Sequence, residues 1–373
     1  MSRILVLAGY APSLVLFRRE LLERFVADGH RVLACAADGD RRTVETLRAM
    51  DVDFAPLLLR RAGLNPLDDM RYFRAVARLA REFRPDVSLA YTIKPVVFGT
   101  LAAARAGVPR RFAMITGLGT AFQEGGGAGR RFLNGTARLL YRAALSRCEK
   151  VFFQNRDDRE LFTRLRLADP GRAVLTAGSG VNLEHFSHAP LPDGPPRFLM
   201  IARLIAEKGV REFAAAAAMV QRRFPDASFH LVGYREDHPS AIGREELDRW
   251  IHHGILQYHG RLADVRPALE ECTVFVLPTA YREGVPHTLL EAMATGRPCI
   301  TTDAPGCRDA VAEGETGLLV PPRDAYALAA AMRRFCEEPA LARTMGAAAR
   351  RRAEQRFDVR QVVETVVGAM GLV

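Results

Sequence analysis

Strand-like and helix-like segments alternate in two successive runs along these 373 residues, and a Pro-rich stretch separates the runs. The last apolar stretch is helical in period. Together these features predict an α/β protein of two facing Rossmann-like domains with a cleft between them, because such alternation builds a parallel sheet with helices on both faces. Apolar residues make up 49% and charged residues 26%, an ordinary globular balance in a chain long enough for two cores.

Ile4 to Ala8 reads as a short buried strand rather than a signal peptide, since no small-residue cleavage site follows an apolar core of adequate length. A helix then runs to Ala27, followed by strands at His30 to Ala36 and Phe54 to Leu59 and a helix near Leu67 to Phe83. Val87 to Tyr91, Arg111 to Ile115 and Val151 to Gln154 continue the strands. Ala189 to Pro196, with four prolines and a glycine, is the natural linker. The pattern restarts with Phe198 to Ala202, Ser228 to Val232, Leu256 to His259, Val274 to Leu277, Cys299 to Thr302 and Gly317 to Val320. The expected domains are 1–188 and 198–356, joined by a linker at 189–197 and followed by a last helix at 357–373.

No uninterrupted apolar run reaches the roughly 18 residues that a membrane-spanning helix needs, so a cytoplasmic protein is expected. The six cysteines show no C-x-x-C pair or metal-type spacing, which points to reduced buried thiols, with neither disulfides nor zinc. The net charge of +10 is one-sided. Residues 1–190 carry 30 Arg and Lys against 19 Asp and Glu, whereas 191–373 carry 23 against 24. Such asymmetry points to a polyanionic partner for the first domain, either an anionic membrane or a nucleic acid. Nucleic acid is disfavoured, because no reading motif or aromatic platform accompanies the arginines. Arg130 to Arg147 sets arginines beside an apolar stripe, and Leu14 to Val26 does the same with Arg18, Arg19 and Arg24. Either stretch alone also suits a core-facing helix with a wet basic face; with the charge asymmetry, contact with an anionic membrane surface is the better reading.

Two carboxylates, Glu283 and Glu291, flank the start of a helix expected from Pro286 to Thr295, with Gly296 and Pro298 marking its end. The free backbone N–H groups of the stretch from Gly284 through Val285 to His287, with Pro286 contributing none, suit a diphosphate together with the helix dipole. Glu291 lies over one turn further in, where a carboxylate can take both hydroxyls of a ribose diol. Acids at a helix start also serve as caps, so the pair gains weight from Arg203 and Lys208. Those two cations occupy a strand-to-helix loop, hence the carboxyl edge where open parallel sheets bind ligands. Of only three lysines, Lys94, Lys150 and Lys208, one falls there; a lysine is a compact point charge suited to phosphate.

The segment Arg203 to Gly209, with Glu283 to Glu291 some 80 residues later, resembles the retaining GT-B glycosyltransferase family. The resemblance spans the chain: Gly178 to Phe186 is similar to the family's segment before the interdomain linker, and Gly260 to Val265 to its base-binding loop. Ser13 to Arg18, Tyr91 to Pro95 and Ile115 to Phe122 resemble the branch that adds N-acetylhexosamines to undecaprenyl-diphosphate sugars, whose type member transfers N-acetylgalactosamine onto lipid-linked diacetylbacillosamine. The resemblance implies a GT-B fold in which the last helix crosses back to the first domain. It also implies a peripheral enzyme of the inner membrane face that moves a sugar, with retention, from a UDP-sugar to a lipid-diphosphate-linked saccharide.

In that reading Arg203 and Lys208 neutralise charge on the leaving diphosphate, assisted by backbone near Gly284, and no divalent metal or other cofactor is needed. Leu262 faces the base, Glu291 the ribose and Glu283 the sugar, while Val285 and Pro286 belong to the donor side. Gly9, Phe17, Arg18, Lys94 and Thr116 are the acceptor candidates. Many relatives carry a histidine after the strand near Ile115; this chain departs from them with Thr116-Gly-Leu-Gly119. Those glycines begin like a dinucleotide fingerprint, but the third glycine is missing and the position is a late strand, so they read as a tight cleft-lining loop. Asp38-Gly-Asp40 has D-x-D spacing but sits in a turn. The same catalyst acting with a UDP- or GDP-sugar on a soluble acceptor, a sugar-nucleotide epimerase, and a basic non-enzymatic binding module remain as alternatives.

Overall fold

The computed structural model describes residues 1–59, 65–118, 128–236 and 238–372, the side chains of 128–134 apart. Gly119 to Phe122, and the side chains of Arg130 and Arg131, therefore lie outside the described residues. The chain divides into two compact units, residues 1–179 with 359–373, and residues 180–358.

The first unit holds a sheet of β1 (Arg3–Leu7), β2 (Arg31–Ala36), β3 (Val52–Pro56), β4 (Val87–Tyr91), β5 (Arg110–Ile115), β6 (Lys150–Phe153) and β7 (Ala173–Leu175). All pairings are parallel, in the order β3-β2-β1-β4-β5-β6-β7. Both faces are apolar. Leu5 and Leu7 point to one core and Ile4, Val6 and Ala8 to the other, the two-residue period of a strand covered on both sides. Helices α1 (Pro12–Ala27) and α2 (Arg41–Ala49) cover the second face, burying Leu14, Leu22, Phe25 and Leu47. The first face is covered by α3 (Pro66–Phe83), a π-helical turn at Pro95–Gly99, α4 (Thr100–Arg105), α5 (Ala128–Leu145) and α6 (Arg156–Arg164), with Tyr72, Val96, Ala102, Tyr141 and Phe162 in its core.

The second unit carries β8 (Arg197–Ile201), β9 (Ser228–Val232), β10 (Gln257–Tyr258), β11 (Val274–Leu277), β12 (Cys299–Thr302) and β13 (Gly317–Val320), in the order β10-β9-β8-β11-β12-β13. Its helices are α7 (Val210–Gln221), α8 (Arg244–His252), α9 (Arg266–Glu271), α10 (His287–Ala294), α11 (Cys307–Ala310), α12 (Ala325–Glu337) and α13 (Pro339–Arg356). Phe229 anchors one face, stacked on Phe198 at 5.3 Å between centroids and edge-on to Phe213 at 6.4 Å. The last helix, α14 (Val359–Met370), belongs to the first unit, where Val359, Val363, Val366, Val367 and Met370 join the core of α1. Arg24 pairs with Glu364 across that contact.

Each unit has the expected parallel-sheet, Rossmann-like architecture, with local differences. The third strand ends at Pro56 rather than Leu59, because its partner β2 ends at Ala36, the residue paired with Pro56. The short β7 has no alternating pattern of its own and was not expected. Pro286 caps α10 from an extended backbone (φ −60°, ψ 119°) instead of opening the helix. Residues 180–196 are held within the second unit rather than forming a separate linker. Val181 N donates to Phe357 O at 2.7 Å, Ala189 N to Thr295 O at 3.2 Å, and Arg297 Nη2 to Pro190 O at 3.0 Å. The cysteines are all free, five of them buried, and burial pushes the Cys148 and Cys272 thiols up to about 12.

Candidate active site

In the second unit the sheet reverses its strand order between β8 and β11, so the loops that leave these two strands diverge. A crevice of this kind, outside the carboxyl ends of the strands, is where open α/β sheets take ligands. Arg203 and Lys208 leave β8, and Glu283, Gly284, Val285 and Pro286 leave β11. Two glycines bring the loops together. Gly209 has φ +80°, and a Cβ on it would meet Pro278 O at 2.1 Å; Gly306 has φ +81°, and its Cβ would meet Gly284 O at 1.6 Å. Only glycine allows both the left-handed backbone and these approaches. Ala280 N then donates to Glu207 O at 2.8 Å and Thr279 Oγ1 to the same oxygen at 3.2 Å, tying loop to loop.

Lys208 Nζ lies 2.6 Å from Glu283 Oε1, with both side chains largely buried (11% and 19% exposed), and Thr279 Oγ1 reaches the same oxygen at 3.3 Å. Arg203 Nη1 donates to Glu236 Oε2 at 2.9 Å, and Tyr234 Oη donates to Glu236 Oε1 at 3.0 Å. The ring of Tyr281 stands near both cations, 5.8 Å from Arg203 Cζ and 5.9 Å from Lys208 Nζ. Burial opposes the Arg203 charge, but the Glu236 hydrogen bond and the charges of Glu236, Tyr281 and Glu283 outweigh it, so its pKa is raised. Glu207 is likewise desolvated, yet its bond from Ser240 and nearby charges lower its pKa. One turn into α10, Glu291 Oε1 is 2.8 Å from His287 Nδ1. Leu262 sits half-buried on the loop after β10, which is anchored by Gly233 N to Gly260 O at 2.8 Å and Tyr258 Oη to Gly233 O at 3.0 Å.

The arrangement is two fixed cations and a helix N-terminus at one sheet edge, with carboxylates beside them. Such a set is chemically suited to the oxygens of a diphosphate and can receive developing negative charge without reorganising. Arg203, Lys208, Glu283, Gly284, Val285, Pro286 and Glu291 converge there, and Leu262 lies on a neighbouring loop of the same edge.

The first-unit candidates also follow strand ends, but they are less of a set. The switch point lies between β1 and β4; Gly9 follows β1 and Lys94 follows β4. A Cβ on Gly9 would meet Thr92 Oγ1 at 2.5 Å, so Gly9 lets the two loops touch. Lys94 Nζ is paired with Asp69 Oδ1 at 2.7 Å, joining the loop to the first turn of α3. Phe17 is 37% exposed on α1, and Thr116 is half-buried after β5. Arg18 is 95% enclosed and works inward: Nη1 donates to Phe17 O at 2.7 Å and Ser179 Oγ at 2.9 Å, and Cζ lies 5.1 Å from the Tyr91 ring centre. Burial lowers its pKa against the opposing pull of Tyr91.

The family models divide the chain as the two compact units do. Residues 16–178 match the glycosyl transferase 4-like domain and residues 195–338 match glycosyl transferases group 1. Over 271 residues, 69% of each chain, the protein is 31% identical to the N,N'-diacetylbacillosaminyl-diphospho-undecaprenol alpha-1,3-N-acetylgalactosaminyltransferase of Campylobacter jejuni. The chain belongs to the GT-B glycosyltransferase family. This glycosyltransferase is also 26% identical, over 77% of its length and 75% of the relative's, to an Escherichia coli UDP-Gal:alpha-D-GlcNAc-diphosphoundecaprenol alpha-1,3-galactosyltransferase. Among solved structures, Anabaena HepE in complex with UDP and glucose shares its fold, with a TM-score of 0.78 over 100% of both chains at 18% identity.

Several residues of this candidate site carried no sequence signal. Tyr234, Glu236 and Ser240 lie in an irregular loop between β9 and α8, and Tyr281 in the loop before Glu283. The nearest available hint was their position just past a strand end.

Proposed function

We propose that this protein is a retaining glycosyltransferase that moves an N-acetylhexosamine from a UDP-sugar to a lipid-diphosphate-linked saccharide in bacterial surface glycan or glycoprotein assembly. The observation that carries the reading is the Lys208–Glu283 pair, 2.6 Å apart beside Arg203 at the β8/β11 switch point. Retention puts the leaving diphosphate and the incoming hydroxyl on one face of the sugar, so charge stabilisation matters more than a nucleophile. Arg203 and Lys208 take up the charge growing on the diphosphate, with the start of α10 assisting, and no metal or other cofactor is called for. Glu283 aligns Lys208 and faces the sugar, Glu291 takes the ribose, and Leu262 packs on the base. Gly9, Phe17, Lys94 and Thr116 serve the acceptor, and Arg18 braces the floor beneath it. Two relatives named for diphospho-undecaprenol acceptors, one of them for UDP-Gal, support the substrate classes. HepE, solved with UDP, agrees with the choice of nucleotide.

Association with the inner face of the cytoplasmic membrane fits the basic first half and the exposed Leu58, Leu67, Met70, Ile93 and Leu139 of the first unit. No helix among the described residues is long and apolar enough to cross a membrane.

The deciding experiment incubates the protein with UDP-N-acetylglucosamine or UDP-N-acetylgalactosamine and a polyprenyl-diphosphate-linked monosaccharide. The expected outcome is an acceptor heavier by one N-acetylhexosamine, with an α linkage by NMR. Interconversion of the free nucleotide sugars without acceptor would instead make it an epimerase, and transfer only to soluble sugars would remove the lipid acceptor.

A further inference from the structure

Arg203 sits at the head of a chain of contacts that the function above does not use. Only one of its N–H groups is engaged among the described residues, by Glu236 at 2.9 Å. Glu236 is itself fixed by Tyr234 Oη at 3.0 Å, and the Tyr234 ring lies under Arg261, whose Cζ is 4.9 Å from its centre. Arg203 leaves β8, Tyr234 and Glu236 leave β9, and Arg261 follows β10, so three adjacent strand ends are linked side chain to side chain. Backbone bonds hold the loops in register: Leu204 N donates to Tyr234 O at 3.0 Å and Ala206 N to Ser240 O at 2.9 Å.

We propose that Glu236, held by Tyr234, is the positioning residue of Arg203 for the transfer reaction. The inference rests on the glycosyl-transfer reading. An arginine side chain has much rotamer freedom, and its guanidinium is planar, so it serves a diphosphate well only when the plane is set in advance. One carboxylate oxygen on Nη1 sets that plane and leaves the remaining donors for the substrate. Removing Glu236 leaves Arg203 charged but unaligned. Nucleotide binding, which needs the charge, then changes little, while turnover, which needs charge at a fixed point in the transition state, falls.

The test measures UDP binding by calorimetry, steady-state transfer and melting temperature for Glu236→Ala, Glu236→Gln, Tyr234→Phe, Arg203→Ala and the Arg203→Ala/Glu236→Ala double variant. Expected are a kcat loss of about tenfold or more in Glu236→Ala, with donor KM and UDP affinity within about threefold. Glu236→Gln, which keeps an oxygen for Arg203, recovers to within about threefold of native, and Tyr234→Phe falls less than Glu236→Ala with the same kcat signature. Glu236→Ala adds no further loss to Arg203→Ala. Native-like kcat in Glu236→Ala, or losses that multiply in the double variant, overturns the inference while the glycosyl-transfer reading stands. A native protein that neither binds UDP nor transfers a sugar overturns both. If Glu236→Ala does not fold, the Gln and Phe variants decide: no kcat loss in Tyr234→Phe overturns the inference.

Discussion

Gly306 lies against the Glu283–Gly284 peptide so closely that a Cβ on it would meet Gly284 O at 1.6 Å and Glu283 O at 3.1 Å. The start of α10 therefore depends on a residue some 20 positions later in the chain. Gly306→Ala must push the Glu283–Gly284 backbone away and strain a left-handed residue at φ +81°. The expected cost is about 2 kcal/mol or more, with a loss of UDP affinity of about tenfold. Gly254→Ala is the control: φ is +67° but nothing lies within 4 Å, so stability falls and UDP affinity does not. Calorimetric titration with UDP separates the two variants. Equal affinity in both would show that Gly306 has no part in UDP binding.

Lys208 faces Glu283 at 2.6 Å in a largely enclosed setting, so each residue protects the other from being left as a lone buried charge. Lys208→Met removes the cation from the proposed diphosphate site and strands the Glu283 carboxylate. Charge-assisted hydrogen bonds of this type contribute about 1.5 to 3 kcal/mol, which predicts a fall in kcat/KM of about tenfold to a hundredfold. Steady-state transfer assays check this, and activity within about twofold of native would remove Lys208 from the reaction.

His230, in the middle of β9, and His259, just past β10, stack with Nδ1 and Nε2 3.0 Å apart, and Ser228 Oγ is 2.9 Å from His230 Nε2. Burial, the His259 charge and Arg197 lower the His230 pKa below its ordinary 6.5, with only Glu271 opposing. A depressed folded-state pKa means that the unfolded chain binds the proton first. The resulting stability is present in full above about pH 6.5 and is lost as pH falls through the folded value. Urea midpoints should drop between pH 7.5 and pH 5.5, and His230→Gln should flatten that drop. An unchanged slope in the variant would place the pH dependence elsewhere.

The fold and the meeting of Arg203, Lys208 and Glu283 at one sheet edge were legible in the sequence for the same reason. Strands such as Val274 to Leu277 are buried on both faces and stand out as apolar runs, and Arg203, Lys208 and Glu283 follow such runs directly. The residues around Glu236 have no period, and Tyr234 and Ser240 are placed by backbone bonds from another loop, so nothing local announced them. Arg18 misled in the opposite sense. Its basic neighbours Arg19 and Arg24 suggest a wet face, yet Arg18 itself is enclosed and bonded to Ser179, some 160 residues away, a partner that only the fold supplies.

Membrane binding must be tested on the whole chain, because the first unit is incomplete without its last helix. Val359, Val363, Val366 and Val367 share a core with Leu14, Leu22 and Phe25, so a fragment ending near residue 188 would expose that apolar face and associate for the wrong reason. The full protein should sediment with vesicles of anionic phospholipid at about 50 mM salt and not with purely zwitterionic ones, since screening at that salt still leaves a Debye length above 10 Å. On α5, Leu139 is 65% exposed next to the exposed Arg138. Leu139→Glu puts an acid in an apolar, basic patch and should weaken sedimentation several-fold without changing the melting temperature, because the side chain is not part of the core. Binding that is equal on both vesicle types, or untouched by salt, would show that the charge of the first half serves another partner.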